Sequence, residues 1–415
     1  MAQARLTQLS QHLQPPHPTG GPYTVNDLPL GTPRPVRIVV IGAGASGINV
    51  LRTLRLQLPA GSWTAVAYEK NPRVGGTWFE NRYPGCRCDI PAHNYQFSWK
   101  PNPCWSAFFA PAEEIEEYLE EAWKEEAARN EAAAMRTECQ VTRAEWREGE
   151  AKWVVTVRDL KTGEVFNDYA DFLLNASGIL KTSLNIFGTE EVKSLVHVAR
   201  SPVWIAPPRL QVLAATKAAG ILNQIELDEH ANFTPRQIQK FKSDPDFYQK
   251  FVNAIEQEIN TNFPIYLKDT PIQALAFDKL KAYMATSLNH DARLCAALIP
   301  SFPVGCRRMV PDSGYLAALT HAKTRVVTDA IARVVPAGIE LVSGETIALD
   351  AIVCATGFDV SFRPRFPLVG RDGVNLQDVW SGNGGGDKRP RAYMSCGVEG
   401  MPNYFGERFA PLPPP

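Results

Sequence analysis

Three glycines and one acidic residue have the types and spacing that bind a phosphate-linked cofactor. Gly42, Gly44 and Gly47 directly follow the apolar run 36–41, in the order G-x-G-x-x-G. In such a loop the first glycine allows a tight turn, the second lets the backbone approach a pyrophosphate, and the third lets a helix pack on the strand. Glu69 lies about twenty residues beyond the last glycine, where an acid binds a ribose hydroxyl. The pattern therefore predicts a dinucleotide site.

The elements around these residues are those of a βαβ unit. A β-branched strand over 36–41 precedes the glycines, a helix is expected over 48–58, and a second strand over 64–68 ends at Glu69. The helix N-terminus offers free N–H groups and a positive dipole end to the phosphates. The alternative is a glycine-rich turn in an ordinary α/β unit, which leaves Glu69 unexplained.

Length and charge set broad limits on the class of protein. The chain has 415 residues, enough for two or three domains, and 43 basic against 44 acidic side chains. No basic excess suggests nucleic acid, and the apolar stretches are far shorter than the ~20 residues of a membrane span. Residues 1–35 are polar and proline-rich, without the order of a signal peptide, and predict a mobile N-terminal arm.

The cysteine usage indicates neither a disulfide scaffold nor a metal centre. Eight cysteines in a chain of this length are too sparse for a disulfide framework. Cys86 and Cys88 are close together, but no second pair has zinc-type spacing. We therefore expect reduced thiols, no metal and a cytoplasmic location.

The rest of the chain predicts mixed α and β elements around a helical insertion. In chain order they are a helix over 111–136, a hairpin of strands 154–157 and 164–166, a strand over 169–174, a mostly helical segment over 234–298, strands over 326–335 and 338–342, and a final buried strand over 351–355.

Two motifs after Glu69 carry a family resemblance. Residues 74–78 read Val-Gly-Gly-Thr-Trp, and residues 83–91 read Tyr-Pro-Gly-Cys-Arg-Cys-Asp-Ile-Pro, followed by Tyr95. Together with residues 42–47, they resemble the FAD-binding half of the class B flavin monooxygenases, most closely the Baeyer–Villiger monooxygenases. Further similarity lies in the segments 305–308, 313–316 and 354–359, so the resemblance covers roughly residues 36–403, with a gap.

The resemblance implies that FAD places its pyrophosphate on residues 42–47 and its ribose on Glu69. Close backbone approach at two adjacent glycines and a dry aromatic wall both suit a large planar ligand. Core packing is the alternative role for Trp78 and Tyr95, and a turn cap is the alternative for Asp89. The remaining cofactor contacts implied by the family are Gly76, Thr77, Trp78, Phe79, Glu80, Arg87, Cys88, Asp89, Ile90, Tyr95, Thr356, Gly357 and Phe358.

The resemblance also assigns one catalytic residue, Arg200. It matches the family's arginine beside the flavin, which steadies the negatively charged peroxyflavin and contacts the nicotinamide. A cation is what a developing anion needs in a low-dielectric pocket. The alternative is a surface arginine at the end of a strand.

One expected segment is missing. Family members carry a second G-x-G-x-x-G for NADPH between the first strand-end motif, residues 175–178, and the arginine. Here residues 179–199 fill that interval, twenty-one positions, whereas a βαβ unit needs about 30 or more. His197 lies in an apolar strand and is not the family's signature histidine. The chain also ends soon after residues 401–404, where relatives continue.

These observations predict an α/β protein: a doubly wound FAD-binding Rossmann-type domain with a truncated second nucleotide-binding domain and a helical insertion. We expect an FAD-dependent monooxygenase that inserts oxygen next to a carbonyl of a small-molecule secondary metabolite, with NADPH binding incomplete. The alternatives are an NADPH-independent oxidase, isomerase or cyclase, or an inactive truncated relative. The expected domains are a flexible arm (1–35), the FAD domain (36–178), the NADP-domain remnant (179–233), the helical insertion (234–304) and a return to the FAD domain with an irregular C-terminus (305–415).

Overall fold

A computed structural model describes residues 29, 32, 34–178, 192–216, 218–261, 263–307, 309–355, 361–381 and 390–406. Most of the predicted arm, 1–35, lies outside these residues. The strands are β1 (Val36–Ile41), β2 (Trp63–Tyr68), β3 (Ala133–Arg136), β4 (Cys139–Arg147), β5 (Lys152–Asp159), β6 (Val165–Ala170), β7 (Phe172–Asn175), β8 (Leu195–Val198), β9 (Ile205–Ala206), β10 (Val310–Pro311), β11 (Thr324–Val327), β12 (Ile331–Val335), β13 (Gly338–Leu341), β14 (Thr346–Ala348), β15 (Leu368–Val369) and β16 (Tyr404–Gly406).

The helices are α1 (Ala45–Gln57), α2 (Thr77–Glu80), α3 (Ala112–Arg129), α4 (Arg209–Ala214), α5 (Ala219–Leu222), α6 (Pro235–Ser243), α7 (Pro245–Thr261), α8 (Pro271–Ser287), α9 (Ala292–Leu298), α10 (Tyr315–Thr320) and α11 (Leu376–Ser381). Among the described helices, none combines the length and the apolar character needed to cross a bilayer. The chain divides into two compact units, the first formed by Met1–Arg82, Ala112–Ser183 and Gly357–Pro415, the second by Tyr83–Pro111 and Leu184–Thr356.

The first unit is built on a parallel sheet in the order β16-β7-β1-β2-β3. The apolar run of β1 is buried from Ile38 to Ile41, as expected of a central parallel strand covered on both faces. Because β2 and β7 flank β1 on opposite sides, the strand order reverses at β1. Ligands bind at the carboxyl end of the strands at such a point. The predicted α/β Rossmann-type fold is confirmed, and the switch point lies at the glycine loop.

A second sheet of this unit has the order β15-β4-β5-β6, in which β4, β5 and β6 form an antiparallel meander and β15 pairs with β4 in parallel. The predicted hairpin is present as β5 and β6, longer than expected, with Gly163 at φ +77° in its turn. Trp153 of β5 is fully buried, and its indole N–H donates to the carbonyl of Pro402 at 2.7 Å. This contact attaches the meander to the chain just before β16.

Two predicted elements of the first unit are wrong in extent. The helix predicted over 111–136 ends at Arg129, and residues 133–136 pair with β2 as β3 instead; between them the buried Asn130 side chain donates to the Leu51 carbonyl at 3.1 Å. The strand predicted over 169–174 breaks at Asp171. Its buried carboxylate accepts the Arg37 N–H at 2.8 Å and pairs with Lys152 at 2.7 Å.

The predicted helical insertion over 234–298 is present in the second unit as α6 to α9. Thr234 caps α6 by accepting the Gln237 N–H, and Thr270 caps α8 by accepting the Gln273 N–H. Each threonine is followed by proline, so capping and a preset φ start both helices.

The β elements of the second unit are smaller than predicted. β8 pairs in parallel with β11, and β12, β13 and β14 form a separate antiparallel sheet, so the strand predicted over 326–335 is interrupted after Val327. The buried strand predicted over 351–355 is wrong: the segment forms no strand, and Val353 is 66% exposed. A parallel strand is stable when neighbours pair with it and cover it, and among the described residues none pairs with 351–355.

Candidate functional site

Two of the three loop glycines are required by the protein itself. Gly42 has φ +100°, and a Cβ atom there would lie 2.6 Å from the carbonyl oxygen of Ala176. At Gly47 a Cβ would lie 2.2 Å from the Gly42 carbonyl oxygen. A side chain at either position would therefore force the loop away from β7 or α1 away from the loop.

Gly44 differs from both. It precedes α1 with φ −75°, a conformation open to any residue, and no side chain caps the helix there. Among the described residues, a Cβ at this position would meet only Gly76, at 3.6 Å from its Cα, which is ordinary van der Waals contact. The fold therefore does not need glycine at position 44. A ligand that lies against the backbone at the start of α1 does need it, and a pyrophosphate is such a ligand.

Glu69 holds this loop to the end of β2. The residue is 4% exposed, and one carboxylate oxygen accepts the Ala43 N–H at 2.8 Å while the other accepts the Asn71 N–H at 2.9 Å. A carboxylate has about four lone-pair sites, so two acceptor positions remain for ribose hydroxyls. The residues present thus fit the ADP half of FAD.

The adjacent glycine pair brings the Gly-Gly-Thr-Trp segment to the same place. The Gly75 N–H donates to the Ala43 carbonyl at 3.2 Å, and Gly76 has φ +56° and precedes α2. A Cβ at Gly76 would lie 3.1 Å from the Cα of Gly44, so two glycines meet backbone to backbone. The structure therefore brings the predicted residues Gly42, Gly44, Gly47, Glu69 and Gly76 together.

Helix α2 carries four further predicted residues. Thr77, Trp78, Phe79 and Glu80 are all half-buried. The Glu80 carboxylate pairs with Lys70 at 2.8 Å and accepts the Asn71 side-chain amide at 3.0 Å. The guanidinium of Arg82 lies 4.0 Å from the Phe79 ring centroid.

Asn71 was missed by sequence reasoning. It is bonded to both predicted acids, through its backbone N–H to Glu69 and through its amide to Glu80. Its position two residues after Glu69 is the signal that could have found it, because a backbone N–H there can reach back to the carboxylate.

The other predicted residues of the aromatic-rich segment belong to the second unit. Arg87 is exposed, Asp89, Ile90 and Tyr95 are half-buried, and Cys88 is buried. Burial raises the pKa of the Cys88 thiol to about 12, so it stays protonated. The Cys88 N–H donates to the Ala110 carbonyl at 3.0 Å, which attaches this loop to the chain just before α3.

Arg200 also lies in the second unit, two residues after β8, and is exposed. Among the described residues, no acidic side chain forms an ion pair with it. Thr356, Gly357 and Phe358 lie outside the residues that the structure describes.

Comparisons with known proteins agree with this geometry. Residues 40–112 match the NAD(P)-binding Rossmann-like domain family. The chain is 31% identical to the FAD-binding monooxygenase tazF of Aspergillus terreus in an alignment 408 positions long, which covers 90% of this chain and 71% of tazF. It is 32% identical to the FAD-binding monooxygenase stcW of Emericella nidulans, spanning 66% of that protein. It is 28% identical to a Baeyer-Villiger monooxygenase of Pseudomonas aeruginosa, spanning 72% of it.

Solved structures agree in fold. The open crystal structure of cyclohexanone monooxygenase matches with a TM-score of 0.61 and 24% identity, over 90% of this chain and 82% of that one. Oxidized steroid monooxygenase bound to NADP matches with a TM-score of 0.60 and 23% identity, over 90% and 81%. Both show the fold alone. The similarity to tazF, which extends through most of both chains, shows that this chain belongs to the FAD-binding monooxygenases and is an FAD-dependent oxidoreductase by class.

Proposed function

We propose that this protein is a flavin monooxygenase of Baeyer–Villiger type that inserts oxygen next to the carbonyl of a small-molecule substrate. The observation that carries the cofactor part of the proposal is Gly44, a glycine that the fold does not need and that a bound pyrophosphate does. The similarity to the Pseudomonas aeruginosa Baeyer-Villiger monooxygenase supports the reaction type. When bound, FAD supplies the redox chemistry that activates dioxygen.

The role of the chain's own residues in this proposal is to bind and orient the cofactor. The first turn of α1 would donate backbone N–H groups to the pyrophosphate, and Glu69, which accepts the Ala43 N–H and so holds the loop in place, would also accept from the ribose. Arg200, which is exposed here, would supply a positive charge to the developing anion, as the family resemblance implies.

A second candidate, an FAD protein that is reduced without NADPH, is favoured by a different observation. Residues 179–199 are too few for a βαβ unit, which needs about 30. β8 pairs with β11, and the 351–355 segment pairs with no described strand. A nicotinamide cofactor would then lack the phosphate-binding loop that supplies much of its binding energy. An oxidase, isomerase or cyclase would take its electrons from the substrate itself, or return them to it.

The visible absorption spectrum of the purified protein, before and after anaerobic NADPH, separates these functions. A flavin band that bleaches supports the monooxygenase, and ketones are then screened by mass spectrometry for an oxygen atom from isotopically labelled dioxygen. A flavin band that bleaches only with an organic substrate supports the second candidate. Protein that holds no flavin, even after incubation with excess FAD, refutes both and indicates an inactive relative.

A further inference from the structure

The loop that carries Asp89 and Tyr95 contains a buried histidine without a polar partner. His93 lies in the 3-10 turn Ala92–Asn94 and is 2% exposed. Neither ring nitrogen makes a hydrogen bond within the part of the chain that the structure describes. Burying a polar group without a hydrogen-bond partner destabilises the folded chain, so the position of His93 requires an explanation.

Four aromatic rings surround this imidazole. The ring centroid of Phe251 lies 4.9 Å away, that of Phe233 5.4 Å, that of Tyr248 5.5 Å and that of Phe241 5.7 Å. The contacts with Phe233, Phe241 and Phe251 are edge-on, the geometry that aromatic quadrupoles favour. We call these four side chains the His93 cage. Phe241 lies in α6, Tyr248 and Phe251 lie in α7, and Phe233 lies one residue before the insertion begins, so the cage is formed by the insertion and the residue directly before it.

Hydrogen bonds on both sides of His93 attach the same loop to the insertion and to the residues just before it. The Ala92 N–H donates to the Phe108 carbonyl at 2.8 Å, and the Phe108 N–H donates to the Ala231 carbonyl at 2.9 Å. After the turn, the Tyr248 hydroxyl donates to the Gln96 side-chain oxygen at 3.1 Å. The imidazole of His93 thus packs among the cage rings, and hydrogen bonds at Ala92 and Gln96 hold the loop on either side of it.

We propose that His93 is a positioning residue, whose uncharged ring holds the 88–96 loop against the helical insertion and releases the loop when the ring takes up a proton. This inference rests on the proposed function only in assigning that loop to FAD. Burial lowers the pKa of the imidazole to about 3, because the cage offers a charge no solvent and no acceptor.

The groups around the cage do not compensate for a charge on His93. Tyr248 is the other titratable ring in it, and burial raises its pKa to about 12, so it stays neutral. On α6, the Lys240 ammonium lies 3.6 Å from the Phe247 ring centroid and adds a positive charge nearby. On the same helix Gln237 is buried, with its amide nitrogen unpartnered among the described residues. No carboxylate of the described residues bonds to the imidazole.

The sign and size of the effect follow from linkage. The pKa of the folded-state imidazole lies below the unfolded value of ~6.5. His93 therefore does not destabilise the folded state above pH 6.5, and it destabilises that state increasingly as the pH falls below this value. With a folded pKa of about 3, the folding equilibrium weakens about thirtyfold between pH 8 and pH 5 from this group alone. We therefore expect loop opening, and with it the rate of flavin release, to rise by up to about thirtyfold over that range.

The test compares His93→Phe, which fills the cage with a ring that cannot titrate, with the wild-type protein. His197→Gln is the matched control. His197 is also in the second unit, and burial lowers its pKa too, but it lies 3.0 Å from the Tyr315 hydroxyl and outside the cage. Flavin release is followed by the rise in flavin fluorescence from pH 8 to pH 5. Stability is measured by denaturant unfolding at pH 8 and at pH 5. His93→Leu repeats the test if the phenylalanine variant does not fold.

The proposal expects acid release of flavin in the wild type and in His197→Gln, and none above background in the His93→Phe variant. Between pH 8 and pH 5, the folding equilibrium constant of the His93→Phe variant should fall by a factor about thirty times smaller than that of the wild type. Equal flavin release from wild type and His93→Phe overturns the proposal, even if their stabilities differ. If no variant binds FAD at pH 8, the proposed function fails; the unfolding arm still tests the charge on His93, and an equal loss of stability in all three overturns the inference.

Discussion

Replacement of Gly44 by alanine separates what the fold needs from what the cofactor needs. The added Cβ would lie 3.6 Å from the Cα of Gly76, an ordinary contact, and the backbone φ of −75° suits alanine. Glycine-to-alanine changes at such sites stabilise a protein by about 0.4–1 kcal/mol, because the unfolded chain loses freedom. We therefore expect Gly44→Ala apoprotein to melt at the wild-type temperature or slightly above.

FAD affinity should fall sharply in the same variant. The methyl group would occupy the space in which a pyrophosphate meets the first turn of α1. Each charge-assisted hydrogen bond that is lost costs about 1.5–3 kcal/mol. One such bond corresponds to a ten- to roughly 150-fold weaker Kd at 1.4 kcal/mol per decade. Flavin content after purification and the Kd from titration of apoprotein with FAD measure the effect.

Gly149→Ala is the matched control. Gly149 lies in the 3-10 turn Glu148–Glu150, and a Cβ there meets no described atom within 4 Å. Its FAD affinity should equal that of the wild type. Wild-type affinity in Gly44→Ala would refute the placement of the pyrophosphate, and a large loss of apoprotein stability would refute the argument that the fold tolerates a side chain at this position.

Three further substitutions test the rest of the site and its support. Gly47→Ala should lower apoprotein stability by about 1–3 kcal/mol in thermal melts, because its Cβ would lie 2.2 Å from the Gly42 carbonyl oxygen; an unchanged melting temperature would contradict this. Glu69→Gln should weaken FAD binding about ten- to 150-fold, because the amide nitrogen of glutamine must face the N–H of either Ala43 or Asn71. Titration of the apoprotein with FAD measures this, and an affinity equal to that of the wild type would remove Glu69 from the site. Asp168→Asn should lower the free energy of unfolding by about 3–5 kcal/mol in urea, because the buried Arg37 loses the carboxylate that accepts its N–H groups at 2.7 Å. A loss below about 1 kcal/mol would show that this ion pair contributes little to stability.

The βαβ opening could be predicted because its signals are local. A continuous apolar run, three spaced glycines and a second strand ending in an acid lie within 34 consecutive positions, 36–69, and the structure forms β1, α1 and β2 there. The insertion helices could be predicted for the same reason, since threonine caps and prolines mark where two of them begin. Errors arose where a distant partner decides. The 111–136 helix and the 351–355 strand have the right local composition, but residues 133–136 pair with β2 as a strand, and no described strand pairs with 351–355.

By itself, the sequence determined the fold class, the family and the phosphate-binding loop, because residue type and spacing encode backbone conformation over short distances. Only the tertiary structure distinguished Gly44 from Gly42 and Gly47, since the difference is which atoms a missing Cβ would meet. The same holds for His93, whose surroundings come from residues 233–251. A burial that depends on side chains more than a hundred positions away leaves no pattern around the residue itself, so packing alone reveals it.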